Sequence, residues 1–191
     1  LSTVIEAFKK GATVAQVEAA LNKGGGETPS GETAAAIVPH RWTEQFEALR
    51  AKTEEYTAKT GKKLKVFLAN MGPLSQHKAR ADFTTGFMEV GGFEVLKNDG
   101  FNSAQAAAEA AIASGAQVAV ICSTDDSYPE LVPPLARAIK AKAPNMLVIL
   151  AGLPAPEFKD AYMEAGMDDC IHIRADCLSM IRKIQQAGGI E

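Results

Sequence analysis

The chain has 191 residues, 47% hydrophobic and 23% charged, and its 20 Lys+Arg against 23 Asp+Glu leave a formal net charge of -3. That length allows one sizeable core plus an appendage, and the absence of a basic cluster argues against nucleic acid or an anionic membrane, both of which need a concentrated positive field. The longest apolar runs, residues 118–122 and 146–151, fall far short of the roughly 20 residues that span a bilayer. Three cysteines, Cys122, Cys170 and Cys177, are too few for a disulfide framework and fit a reducing cytoplasm. The opening Leu1-Ser2-Thr3-Val4 shows no charged-then-apolar signal pattern and reads as a start inside a longer protein.

Residues 1–61 read as a helical appendage with a linker, and residues 62–191 as an α/β domain. Thr13 and Gln16 have the spacing of a capping box, and Val14, Val17 and Leu21 follow at helical spacing before Gly24, Gly25 and Gly26 stop the helix. The Gly, Pro, Ser and Thr content of residues 24–39 predicts a linker. Such a stretch buries too little apolar area to offset the entropy of ordering, unless another surface receives residues 34–38. Thr43 then stands where it can cap a helix whose Phe46, Leu49 and Tyr56 share one stripe.

From Leu64 the pattern turns regular. Apolar runs at Leu64–Ala69, Phe93–Leu96, Val118–Cys122, Met146–Ala151 and Cys170–Ile173 alternate with helical segments at His77–Val90, Ser103–Ser114, Tyr128–Ala143, Glu157–Ala165 and Asp176–Ala187. The runs begin about 25 to 30 residues apart, the size of a βαβ unit. They are rich in Val, Ile and Leu without polar alternation, as parallel strands covered on both faces require. Gly91, Gly115 and Gly166 sit just past helix ends, where a left-handed residue stops the turn at little cost. Together these features predict a doubly wound, flavodoxin-like α/β domain, with a five-stranded parallel sheet in the order 2-1-3-4-5.

Such a sheet holds its ligand beyond the carboxyl ends of the strands, near the switch between the first and the third. Residues 70–80, 122–128, 151–156 and 172–176 are therefore the ones to interrogate. Cys170, His172 and Cys177 form a loose group without the paired knuckles and fourth ligand of a zinc site, and a strand would put Cys170 and His172 on one packed face. No metal site is expected. Asp125 and Asp126 follow the third run, where receiver domains carry their phosphate-accepting Asp. Receivers also need acidic ligands after the first strand and a Lys after the fifth. Asn70-Met71 and His172-Ile173-Arg174 stand there instead, so the Asp pair reads as a solvated cap for the helix beginning near Tyr128. No glycine-rich phosphate loop opens a helix after a strand, and Ser123 and Ser127 lack the Gly-x-Ser-x-Gly elbow of hydrolases. No catalytic residue is expected.

Ala69-Asn70-Met71-Gly72, the stretch from Gly86 to Phe93, Leu131-Val132-Pro133 and Ala151-Gly152-Leu153-Pro154 together resemble the cobalamin-binding domain of acyl-CoA mutases, over residues 62–187. Pro39-His40-Arg41-Trp42, followed by Phe46-Glu47-Ala48-Leu49-Arg50, is similar to the segment that joins the mutases' catalytic barrel to that domain. Within this family the chain looks like the C-terminal part of the small, non-catalytic subunits of methylmalonyl-CoA mutases.

Cobalamin-binding members carry an Asp-x-His-x-x-Gly loop after strand one, in which the His replaces the cofactor's own benzimidazole on cobalt and the Asp orients the imidazole. In this chain the Asp position falls on Leu74, the His position on Gln76 and the Gly position on Ala79, so all three roles are missing. An amide is a poor replacement for imidazole on a transition metal. His77 stands one residue later, and to serve as a substitute ligand it needs the loop to shift, because one residue at a helix start turns a side chain by about 100°. The family's Ser-x-Leu element after strand three, which lines the nucleotide-tail cavity, reads Cys122-Ser123-Thr124. The Gly-Gly pair after strand four reads Ala151-Gly152, and the glycine-rich turn after strand five reads His172-Ile173-Arg174. Bulky groups thus stand where binders keep space open.

The resemblance implies a structural domain that binds no cofactor of its own, in a heterodimer whose large catalytic subunit holds adenosylcobalamin and isomerises methylmalonyl-CoA to succinyl-CoA. The chain alone is expected to be silent, having no barrel to close over a radical and exclude water. Ile37, Val38 and Trp42 are expected to contact the barrel or the partner. The alternative is a working cobalamin-binding module, with His77 as the lower cobalt ligand and Ser123 and Gly152 along the tail cavity.

Overall fold

The computed structural model describes residues 2–23 and 36–190. The chain divides into two compact units, Leu1–Pro39 and His40–Glu191. In the first, helices α1 (Ser2–Lys9) and α2 (Val14–Asn22) contain no buried residue. The predicted capping box is complete: the Thr13 hydroxyl oxygen accepts from the Gln16 N–H at 3.3 Å, and Gln16 Oε1 accepts from the Thr13 N–H at 2.9 Å. The expected helix stop at Gly24, Gly25 and Gly26 and the linker over residues 24–35 lie outside the described residues.

The second unit runs α3 (Glu44–Thr60), β1 (Lys65–Asn70), α4 (Leu74–Glu89), β2 (Glu94–Leu96), α5 (Ala104–Ala113), β3 (Val118–Cys122), a 3-10 turn (Asp125–Ser127), α6 (Tyr128–Lys142), β4 (Leu147–Ala151), α7 (Pro156–Glu164), β5 (Asp169–Ile171) and α8 (Cys177–Ala187). All strand pairs are parallel and the order is β2-β1-β3-β4-β5, as predicted. Side chains alternate between two cores. Phe67, Ala69, Ile121, Val148 and Leu150 pack against Ala107, Ala111, Leu135 and Ile139 of α5 and α6. On the other face Val66, Leu68, Val120, Ile149 and Ile171 pack against Leu49, Ala81, Met88, Ile181 and Ile184 of α3, α4 and α8. With helices on both faces, successive residues of the central strands β1, β3 and β4 are buried at nearly every position, which is why the sequence shows apolar runs rather than alternation.

The structure departs from the sequence reading at five places. The division of the chain falls after Pro39 rather than after residue 61, because α3 is a layer of the α/β unit. Leu49 and Thr53 are buried, and the Gln185 amide on α8 donates to the Leu49 carbonyl at 2.6 Å and to Thr53 Oγ1 at 2.9 Å. A charged helix that buries so narrow a stripe reads as surface. Thr43 does not cap α3 through its side chain, since its hydroxyl donates to Glu47 Oε1 at 2.8 Å. Helix α4 starts at Leu74, three residues before His77, because Gly72 turns the chain at φ +75° and Pro73 presets the entry. Strand β5 ends at Ile171; His172 enters a turn in which its Nδ1 accepts from the Arg174 N–H at 3.2 Å. Of the predicted helix-ending glycines, Gly115 and Gly166 are left-handed, but after α4 that role falls to Gly92 rather than Gly91.

Candidate functional site

Asn70 and Cys122 face each other at the ends of β1 and β3, below the crevice of the doubly wound sheet. The first two turns of α4 carry the positions at which the sequence finds the ligand loop altered. Leu74, Gln76 and Ala79 are exposed, and the Gln76 side-chain oxygen lies directly over Gly72, in the space a Cβ there would take.

His77 turns inward and is 1% exposed. Its Nδ1 lies 3.1 Å from the Gly72 carbonyl oxygen. A carbonyl only accepts, so Nδ1 is the donor of this bond. The imidazole packs against the loop after β2. A Cβ on Gly100, at φ +103°, would stand 2.8 Å from His77 Cε1 and 2.7 Å from the Gly72 oxygen, so only glycine admits the ring. The same loop is tied to β1 by Asn70 Nδ2, which donates to the Asn98 carbonyl at 3.1 Å, and by Asn98 Nδ2, which donates to the Leu68 carbonyl at 2.6 Å. Asn70 Oδ1 is buried without a hydrogen-bond partner.

On the β3 and β4 side the polar groups satisfy one another. Ser123, fully buried, donates to the Met71 carbonyl at 3.2 Å. The Ser127 hydroxyl lies 2.8 Å from Ser123 Oγ and 2.7 Å from the Thr124 carbonyl. The Tyr128 hydroxyl accepts from the Ser123 N–H at 3.1 Å and donates to the Ala151 carbonyl at 2.6 Å. The carboxyl ends of β1, β3 and β4 are thereby stitched together. Burial pushes the Tyr128 hydroxyl's pKa up, which keeps its proton in place as a donor. Burial likewise pushes the Cys122 thiol up to about 12, against the smaller opposing effect of the Thr84 hydroxyl 3.7 Å from Sγ.

Above this network lies an ion pair that the sequence reading missed. Arg80 Nη2 donates to Asp125 Oδ1 at 2.8 Å and to Oδ2 at 3.0 Å. Both groups rest against Gly152: a Cβ there would meet Asp125 Oδ1 at 3.3 Å and Arg80 Cζ at 3.4 Å. Asp125 is therefore not merely a solvated cap, and α6 starts after Ser127 with no side-chain cap bond. A signal existed in the sequence. The residues three and four places from Arg80 on its helix are Gln76, His77, Phe83 and Thr84, none acidic, so its charge needed a partner elsewhere. Which partner depends on the fold.

Cys170 packs with the α5 and α6 core and Cys177 with the α3, α4 and α8 core, on opposite faces of the sheet. Among the described residues, no group of three or more His, Cys, Asp or Glu could hold a metal ion, and no helix is long and apolar enough to cross a membrane. Around the crevice, the loops after β1, β4 and β5 present Leu74, Leu153 and Ile173, exposed to 62%, 55% and 90%.

Known proteins match this chain as follows. The methylmalonyl-CoA mutase small subunit of Streptomyces virginiae is 40% identical over 128 residues, covering 67% of this chain and 21% of the relative. That of Porphyromonas gingivalis is 34% identical over 151 residues, covering 78% and 23%. A probable methylmalonyl-CoA mutase small subunit of Mycobacterium tuberculosis is 32% identical over 131 residues, covering 69% and 21%. The chain thus spans 21% to 23% of the length of these relatives. Among solved structures, a response regulator receiver domain from Clostridium thermocellum matches with TM-score 0.46 and 17% identity, over 65% of this chain and 93% of that one. A CheY-like protein from Pseudomonas aeruginosa PAO1 matches with TM-score 0.49 and 18% identity, over 67% and 95%. No protein-family model matches the chain. The chain is a homologue of the methylmalonyl-CoA mutase small subunits.

Proposed function

We propose that this chain is the C-terminal domain of a non-catalytic small subunit of methylmalonyl-CoA mutase, that its role in the heterodimer is structural, and that it binds no cobalamin. The observation that carries this reading is the self-satisfied β3 and β4 side of the crevice. The hydroxyls of Ser123, Ser127 and Tyr128 and the charges of Arg80 and Asp125 bond to one another or to strand-end carbonyls. A ligand entering there must break those bonds and replace each of them.

The donor set does not fit the cofactor either. The expected imidazole position holds Gln76, folded over Gly72, and the orienting carboxylate position holds exposed Leu74. In this reading the large subunit holds adenosylcobalamin, which supplies the radical chemistry of the isomerisation. This chain offers protein contacts instead: Trp42 is fully exposed, Ile37 and Val38 are exposed to 95% and 65%, and the rim of Leu74, Leu153 and Ile173 is apolar. Three free cysteines suit a reducing cytoplasm.

A second reading, His77 as lower cobalt ligand, has one observation in its favour: the bond to Gly72 engages Nδ1 and leaves Nε2 as the ring nitrogen open to a ligand. It requires the ring to leave its place beneath Gly100. Reconstitution of the apo heterodimer with adenosylcobalamin distinguishes the two readings. The structural role predicts one cofactor per heterodimer and no isomerisation by this chain alone. Two cofactors per heterodimer overturn it.

A further inference from the structure

We infer that the Arg80–Asp125 ion pair, seated on Gly152, latches α4 to the loops after β3 and β4. The inference rests on the structural reading above and names the contact that holds the rim of the crevice together. Arg80 belongs to the helix that follows β1, Asp125 to the turn after β3 and Gly152 to the loop after β4. One contact therefore joins a helix and two loops around the switch point, where doubly wound sheets hold their ligands.

Gly152 shows what this space is used for. Its backbone sits at φ +146°, and its missing Cβ would lie 3.3 Å from the carboxylate and 3.4 Å from the guanidinium carbon. The close approach that a glycine permits is taken up by the chain's own side chains. The Arg80 side chain is 32% exposed and that of Asp125 65%, so the pair stands at the solvent edge of the crevice rather than being buried within it. Its strength is accordingly modest, and its effect is local.

Hydrogen exchange read by mass spectrometry tests the latch through a double-mutant cycle of Arg80→Ala, Asp125→Ala and the double variant. Each single variant is expected to speed exchange at residues 123–128 and 152–153 by about 2- to 5-fold, the range of a partly exposed pair. The double variant is expected to be no faster than either single one. Unchanged exchange, or effects that multiply in the double variant, would overturn the latch. If an alanine variant does not fold, Arg80→Gln and Asp125→Asn give the same cycle with less loss of packing. Hydroxocobalamin titrated into the wild-type chain separates this inference from the function proposed above. Saturable binding there sinks the structural role, whereas a silent wild type with multiplying exchange effects sinks the latch alone.

Discussion

The Tyr128 hydroxyl at the start of α6 donates to the Ala151 carbonyl at the end of β4 at 2.6 Å, and accepts from the Ser123 N–H beyond β3. One phenol thus satisfies two backbone groups at the carboxyl ends of β3 and β4. Tyr128→Phe strands both in a buried setting. The expected cost is about 1 to 3 kcal/mol, which urea unfolding reads directly. Wild-type stability in this variant would show that water replaces the phenol freely.

Several buried groups make the unit sensitive to alkali. Burial raises the Cys122 thiol from its ordinary 9.0 to about 12, and also raises Tyr128, Tyr162, Cys170 and Cys177. The folded state keeps these protons where the unfolded chain releases them, so stability falls as pH rises. For Cys122 the contribution is fully present below about pH 9 and is lost toward about pH 12. Cys122→Ala is therefore expected to flatten the fall of unfolding free energy between those values, by at most about 1.4 kcal/mol per pH unit. An unchanged slope in that variant would assign the alkaline loss to the other groups.

Gln185 holds α3 on the unit. It is 3% exposed, and its amide reaches both the Leu49 carbonyl and the Thr53 hydroxyl. Gln185→Ala removes both bonds and opens a small void, with an expected loss of about 1 to 3 kcal/mol. Exchange should rise along residues 44–60 before it rises in the sheet. Uniform acceleration across the unit would mean that α3 unfolds only together with the rest.

The ligand loop can be rebuilt without changing Arg80 or Asp125. Leu74→Asp, Gln76→His and Ala79→Gly together restore the Asp-x-His-x-x-Gly pattern on the first two turns of α4. With Arg80 and Asp125 in place, this triple variant is expected to give no saturable change in the hydroxocobalamin spectrum. Saturable binding would show that the crevice admits the cofactor once an imidazole is supplied.

Strand order and the helical layers were legible in the sequence because local patterns carry them. Val118–Cys122 is apolar at every position, and Gly115 turns left-handed just ahead of it. The altered ligand loop was legible too, since Leu74, Gln76 and Ala79 can be compared position by position with the Asp-x-His-x-x-Gly pattern. Arg80 and Asp125 were not, because their pairing joins residues 45 apart and depends on two loops converging over Gly152. The place of α3 was hidden for a related reason. Its bond to Gln185 spans 136 residues, and its own surface is mostly charged. The end of β5 was misread because Ile173 is apolar yet 90% exposed, and apolar character alone extends a strand on paper.

The most direct test of the account is a titration of the purified chain with hydroxocobalamin, following the corrin spectrum, with calorimetry in parallel. The account predicts no base-off, His-on change and no binding heat, at cofactor concentrations well above those that saturate a binding-competent homologous domain. Saturable binding that disappears in His77→Ala would contradict it and make this chain a cobalamin carrier.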